Sequence, residues 1–195
     1  MDEDPSCNKK LMRKKRMATE KTKLNIGCGQ DIKEDYVNMD FVKGGGVDVV
    51  HNLDKTPWPF KENTFEEVYA SHVLEHIGDL TKIMKEIRRV SKNGAKIVIR
   101  VPHFSCGVGY RDPTHKRLFS YFTMEYFANP KNYYERPESN WFVIKKRKLN
   151  FTRLSYTWMN LIFNPLINLS PEMYERFCCW TFPCSEVIFE LEVAK

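Results

Sequence analysis

The chain has 195 residues, a formal net charge of +6 and 42% apolar residues, including thirteen Phe and nine Tyr. That length holds one domain, and that composition is rich enough to build a core, which excludes global disorder. The charge is local, because residues 1–23 carry eight Lys/Arg against four acids. A basic, solvated tail (1–22) therefore precedes a nearly neutral domain (23–195), without the positively charged folded face expected of a nucleic-acid enzyme.

Residues 24–101 alternate between strand-like and helix-like runs. Leu24-Asn25-Ile26 is a short apolar strand ending at Gly27. Val37–Phe41 alternates with period two, Val47–Val50 follows three glycines, Glu67–Ser71 is a fourth strand, and Ile97–Val101 is a fifth, ended by Pro102. Between the last two, Leu80, Ile83, Met84, Ile87 and Val90 share one helical face. Asp79 is placed as its N-cap and Asn93-Gly94 as its stop. Residues 103–140 read as an insertion or lid, Trp141–Leu149 as a sixth strand, 152–184 as aromatic and helical in pieces, and Val187–Val193 as a final alternating strand. This order predicts an α/β, Rossmann-like fold with a seven-stranded, mostly parallel sheet.

Cysteines 7, 28, 106, 178, 179 and 184 form no C-x-x-C pair, and charges fill the N-terminal region where a signal peptide needs an apolar run. Reduced, mostly buried thiols in a cytoplasmic protein are expected; the spacing of Cys178, Cys179 and Cys184 is not a usual zinc spacing. No run reaches the ~18 apolar residues of a membrane span.

Two glycines after a strand let backbone amides approach a ligand, and a carboxylate ending the neighbouring strand, Asp40, can accept hydrogen bonds from both ribose hydroxyls. A nicotinamide site needs a third glycine where Ile32 stands, so G-x-G-x-x-G fails. His72-Val-Leu-Glu-His76 also reads H-x-x-E-H, a metallopeptidase pattern. Strand-like residues precede it and Gly78 follows, which favours a strand end and a single helical turn over a metal-binding helix.

With these residues in order, the chain resembles the class I S-adenosylmethionine-dependent methyltransferases of the small, single-domain, type 11-like kind. The likeness runs from Lys23 to Glu125 and rests on Leu24–Gly29, Val37–Phe41, His51–Phe60 with Asn63–Val68, Tyr69–Ile77 and Arg89–Ala95. It implies an antiparallel last strand, S-adenosylmethionine as cofactor, S-adenosylhomocysteine as product, and no metal. Carried across, Asn25, Gly27, Cys28 and Gly29 border the methionine and ribose, Asp40 holds the ribose, and Phe41 packs on adenine. Asn52 and Leu53 meet the adenine, and Ser71 and His72 lie at the methionine end. Two departures stand out: Asn52 where the family often has an acid, and Asp31 in place of the first motif's third glycine. The implied reaction is methylation, preferably of oxygen, on a small or medium-sized acceptor, apolar or glycan-like. The Asn/Asp-Pro-Pro-Tyr/Phe signature of amino-group methylating members is missing after Ser71.

His103 and His115 lie where α/β ligands bind and are candidate bases, with Asp112 orienting His115; their structural alternative is to pin the lid. The aromatic segment 152–184 is core or a dimer interface, the commonest uses of such clusters, or else an acceptor roof or a peripheral membrane face. Either a monomer or a homodimer fits. The competing readings are the metallopeptidase, a non-catalytic cofactor-binding protein and a nucleic-acid methyltransferase that binds through residues 1–22.

Overall fold

The structure is a computed structural model that describes residues 21–128 and 137–195. The basic tail lies outside these residues apart from Lys21 and Thr22, as does the 129–136 part of the insertion. Seven strands form one sheet: β1 Lys23–Ile26, β2 Tyr36–Asp40, β3 Val49–Val50, β4 Phe65–Ser71, β5 Ser91–Pro102, β6 Phe142–Asn150 and β7 Glu186–Val193, in the order β3-β2-β1-β4-β5-β7-β6. The first five pair in parallel, and β7 runs antiparallel to both β5 and β6. Six of the predicted strands are present to within two residues, and the fifth, expected from Ile97, begins six residues earlier at Ser91.

Strand order reverses at β1, which pairs with β2 on one side and β4 on the other. Open parallel sheets bind ligands outside the carboxyl ends at such a switch point. Ile26 is in register with both Met39 and Ala70, so the three strands end side by side.

Helix α1, Leu80–Val90, buries the predicted stripe from Leu80 to Val90, and Asp79 Oδ1 accepts from the Lys82 amide at 3.0 Å. Its stop is a correction. The helix ends at Val90, Ser91 Oγ donates to the Ile87 carbonyl, and β5 begins at once. Gly94, with φ +76°, turns the chain inside that strand instead. Its register against β4 jumps from Ser91 to Lys96 across the same stretch.

The connection from β1 to β2, residues 27–35, contains no helix. A ligand at the carboxyl end of β1 therefore meets a turn rather than a helix N-terminus. Within the insertion, Gly107–Arg111 forms a short helix, α2, while Phe119, Met124 and Phe127 are buried in the core. The described part of 103–140 is thus structural as well as peripheral. Among the described residues, no helix is long and apolar enough to cross a membrane.

Candidate functional site

The turn after β1 is stitched to β2. The Cys28 amide donates to the Met39 carbonyl at 3.1 Å, and the Gly29 amide donates to Asp40 Oδ2 at 2.8 Å. Asp40 Oδ1 accepts from the Val42 amide at 3.0 Å. One backbone donor per oxygen fixes the carboxylate and leaves lone pairs for further donors. Gly27 has φ +60°, and a Cβ there would lie 2.3 Å from Val73 Cγ2. Only glycine lets Val73 pack this close to the turn.

Beneath the turn lies a buried polar network absent from the sequence reading. Asn25 Nδ2 donates to the Asp31 carbonyl and to Asn38 Oδ1, and Asn38 Oδ1 also accepts from the Lys33 amide. The Asn38 amide in turn donates to Asp48 Oδ2 at 2.9 Å. Asn25 is therefore placed to shape the loop from below. Cys28 is buried, and its thiol is pushed up to about 11 by that burial and then by the Asp40 carboxylate, so it stays protonated.

A cavity of about 480 Å³ opens in front of this turn. Gly27, Asp40, Phe41, Asn52, Leu53 and His72 line it, joined by Asp54, Val73, His76, Ile77 and Thr114. Six predicted residues thus converge on one cleft of ligand-binding size. Cys28, Gly29, Asn25 and Ser71 stand behind or beside it. Phe41 is 74% exposed at its edge. Asn52 Oδ1 accepts from the Asp54 amide at 2.9 Å, so part of its hydrogen-bonding capacity is spent within the chain. Leu53 is fixed by Trp58, whose indole Nε1 donates to the Leu53 carbonyl and whose own amide donates to Glu86 of α1. A larger groove, about 700 Å³, is lined by residues such as Pro57, Lys85, Arg88 and Lys195, and shares none of the cleft's residues.

His72 leaves β4 with φ +53°, a conformation that is costly for a non-glycine residue and concentrates at functional sites. Its Nδ1 lies 3.4 Å from Glu75 Oε1 and its Nε2 3.2 Å from Glu186 Oε2. Burial alone would lower its pKa, but the hydrogen bonds its ring donates to Glu186 and Glu75 outweigh it and raise it. Glu186, fully buried, also accepts from Arg100 Nη2 at 2.6 Å and from Asn150. Glu75, Glu186, Arg100 and Val73 escaped the sequence reading because Arg100 and Glu186 come from distant segments, while in Tyr69–Ile77 only Ser71 and His72 were given a cofactor role. In that motif β4 stops at Ser71 and a single 3₁₀ turn spans Leu74–His76, so the histidines do not share a helix face as the metallopeptidase reading needs.

The two candidate bases separate. His103 is 0% exposed: its Nδ1 accepts from the Ser105 amide and its Nε2 lies 3.1 Å from Glu175 Oε1. It anchors the 174–178 turn and does not line the cleft. His115 packs edge-on against His76 with ring centroids 4.7 Å apart, and Asp112 accepts from the Thr114 hydroxyl at 2.7 Å. His76 and Thr114 are cleft residues, so His115 and Asp112 stand directly behind its rim.

The aromatic segment departs most from the expectation of a core element. Tyr174 is buried, but Tyr156, Trp158, Phe177, Trp180 and Phe182 are exposed. Among the described cysteines, all are free: Cys28, Cys179 and Cys184 are buried, Cys106 is partly buried and Cys178 is exposed.

A family model described as a methyltransferase domain matches residues 28–99. A sterol 4-C-methyltransferase of Caenorhabditis elegans is 46% identical over 41 residues, 21% of this chain and 12% of that protein. An uncharacterized protein of Methanocaldococcus jannaschii is 49% identical over 43 residues, 22% of this chain and 19% of that one. The chain thus spans under a fifth of either relative. A SAM-dependent methyltransferase from Archaeoglobus fulgidus superposes with TM-score 0.57 at 18% identity, over 96% of this chain and 93% of the other. The Bacillus YcgJ protein does so with TM-score 0.55 at 16% identity, over 96% and 99%, and the cyclase SpnF with TM-score 0.56 at 14% identity, over 94% and 80%. The resemblance carried by the sequence motifs is borne out, and the chain has the class I methyltransferase fold.

Proposed function

We propose that this chain, which has the class I methyltransferase fold and carries the methyltransferase-domain match, binds S-adenosylmethionine in the cleft and transfers its methyl group to a small or medium-sized acceptor. The observation that carries this reading is Asp40. Its two oxygens are each held by one backbone amide at the mouth of a turn that admits no side chain at Gly27. Such a carboxylate can receive both ribose hydroxyls. Phe41, Asn52 and Leu53 then flank the adenine, while Gly27, Ser71 and His72 bound the methionine end.

In the reaction, a lone pair on the acceptor forms a bond to the methyl carbon as the carbon–sulfur bond breaks. The bonding pair returns to sulfur, giving S-adenosylhomocysteine, and the acceptor's proton leaves to solvent or a nearby base. The sulfonium is already activated, so alignment supplies most of the acceleration. An oxygen acceptor is preferred, since the chain lacks the amino-group signature after β4. Of the two candidate bases, His115 is the one that neighbours the cleft, packed on His76, with Asp112 3.9 Å from its Nε2. His103 acts by anchoring the 174–178 turn. The exposed face of 152–184 is the acceptor-side surface, and its apolar character fits an apolar acceptor delivered at a membrane surface.

Calorimetry and thermal unfolding with S-adenosylhomocysteine test the binding step. At about 100 times its Kd the product stabilises by about 2.7 kcal/mol, which raises Tm by roughly 5–10 °C for a chain of this size. Asp40→Ala abolishes the shift; it also leaves the Gly29 and Val42 amides without their acceptor and lowers the unliganded Tm, so the shift is read against that variant's own baseline. Absence of any shift at millimolar product refutes the proposal. Binding without turnover of labelled cofactor in any extract favours the non-catalytic reading, since a fold alone does not fix an activity.

A further inference from the structure

Behind the cleft rim, three side chains from two separate segments converge. Glu75 and His76 come from the 3₁₀ turn after β4, and His115 from the loop after α2. One ligand atom from each lies within 4.8 Å of the other two. The Lys116 amide donates to the Glu75 carbonyl at 2.8 Å and ties the two segments together.

Glu75 is 1% exposed, and its Oε2 is buried with no hydrogen-bond partner. A buried carboxylate oxygen without a donor is costly, and native proteins seldom leave one so. Oε1 already meets His72 at 3.4 Å, so the deficit sits on one oxygen only.

The hydrogen bonds of the two histidines fix their tautomers. Thr114 Oγ1 gives its own proton to Asp112 Oδ1 at 2.7 Å, so toward His76 Nδ1, at 2.8 Å, that hydroxyl accepts. His115 Nδ1 lies 3.0 Å from the Gly109 carbonyl, which can only accept. Both Nδ1 atoms therefore carry the proton, and both Nε2 atoms are left with a lone pair. The nearest anion to His115 Nε2 is Asp112 Oδ2 at 3.9 Å, beyond hydrogen-bond range. An imidazole whose Nδ1–H is held by a carbonyl or hydroxyl while Nε2 is presented is the usual outer-shell arrangement of a metal ligand.

We propose that Glu75, His76 and His115 bind a divalent first-row transition ion such as zinc or iron(II). Two imidazoles and one carboxylate suit such ions and disfavour magnesium and calcium, which take oxygen ligands. Three protein ligands leave coordination positions open, as in catalytic rather than structural sites. His76 and Thr114 line the cleft, so the site borders it. A hydroxyl bound to the ion would ionise more readily, and the ion rather than His115 would then do the work of a base; that consequence rests on the methyltransferase reading, whereas the binding site itself does not. The set is also distinct from the H-x-x-E-H reading, because His72 is engaged by Glu186 and takes no part.

The test is a cobalt(II) titration of the full chain after chelator treatment, followed by its visible absorption, with zinc affinity from calorimetry. One equivalent binds with d–d bands and without the near-ultraviolet charge-transfer band of a thiolate. His76→Ala and His115→Ala each weaken zinc binding by more than about 100-fold, and Thr114→Val, at an exposed position, by roughly 10–100-fold. Failure of cobalt and zinc to bind, a thiolate band, or an affinity indifferent to both His115→Ala and Thr114→Val overturns the site. S-adenosylhomocysteine binding, measured on the same metal-free samples, keeps the two proposals separable. Loss of the metal with retained product binding sinks this one alone.

Discussion

At Gly27 two restrictions coincide: a backbone φ of +60° and a wall formed by Val73, 2.3 Å from where a Cβ would stand. An L-residue in that conformation costs about 1–2 kcal/mol, and the overlap adds to it. Gly27→Ala is therefore expected to destabilise by more than about 2 kcal/mol in urea unfolding and to remove product binding. Adding Val73→Ala removes the Cγ2 overlap but leaves Val73 Cβ 2.7 Å away and the backbone strained, so the double variant recovers only part of the stability, and full recovery would show that neither restriction matters there. Phe41 is the opposite case. It is exposed, so Phe41→Ala should leave unfolding within about 0.5 kcal/mol of wild type. Calorimetry should nonetheless show product binding about tenfold weaker, about 1.4 kcal/mol, if its ring packs on the adenine. The glycines and Asp40 were legible because their chemistry depends on residue type at a strand end. The Asn25–Asn38–Asp48 network was not, since asparagines within strands look the same in sequence whether they face water or a loop that needs fastening.

Elements with a strict period were read well, and those defined by what they pack against were not. Strand β7 buries Val187, Phe189, Leu191 and Val193 as its alternation predicts. Helix α3, Asn160–Leu169, inverts the usual rule. Asn160, Asn164 and Asn168, four apart, face inward and accept from the amides of Thr152, Phe151 and Leu149. Leu161 and Leu169 are instead 81% and 84% exposed. The three asparagines that interrupt this apolar run in the sequence are what hold the helix to the end of β6. At the start of β7, Glu186 joins three strands, through Arg100 of β5, Asn150 of β6 and His72 just beyond β4. Burial opposes its ionisation, yet hydrogen bonds from His72, Arg100 and Asn150 bring its carboxyl down from 4.5 to about 2. A depressed carboxyl stabilises the fold above its unfolded value and loses that contribution as pH falls. Between about pH 4.5 and 2 the loss is on the order of 3 kcal/mol. Glu186→Gln should be less stable at neutral pH and show a flatter decline across that window in denaturant titrations. An unchanged slope would mean the carboxylate is not the group responsible.

At the scale of the whole molecule, the outward apolar side of α3 continues into Trp158, Met173, Phe177 and Trp180, all exposed. An exposed surface of this kind marks an interaction site. The excess of cations lies next to it in the chain: residues 141–184 hold six Lys/Arg against two Glu, four of the cations on β6, where Lys145 pairs with Glu192 and Arg147 with Glu125. Aromatic and leucine side chains beside cations are the composition of an interfacial membrane surface, and each cation near anionic lipid adds about 1 kcal/mol. Composition alone left this segment open between core, interface, acceptor roof and membrane face, because hydropathy does not say on which side of a helix its partner lies; the inward asparagines turn the apolar side of α3 outward. The expected outcome is sedimentation of the protein with vesicles containing phosphatidylserine, weakening as salt rises, and little with neutral vesicles. Leu161→Glu with Leu169→Glu removes two side chains each worth about 1.5–3 kcal/mol when buried, so bound protein should fall more than tenfold. The unfolding midpoint should hardly move, because neither residue contributes to the core. Light scattering on the same samples separates the rival occupant. A dimer that the double substitution converts to a monomer, with no vesicle binding in either form, would assign this face to a second copy of the chain and end the membrane reading.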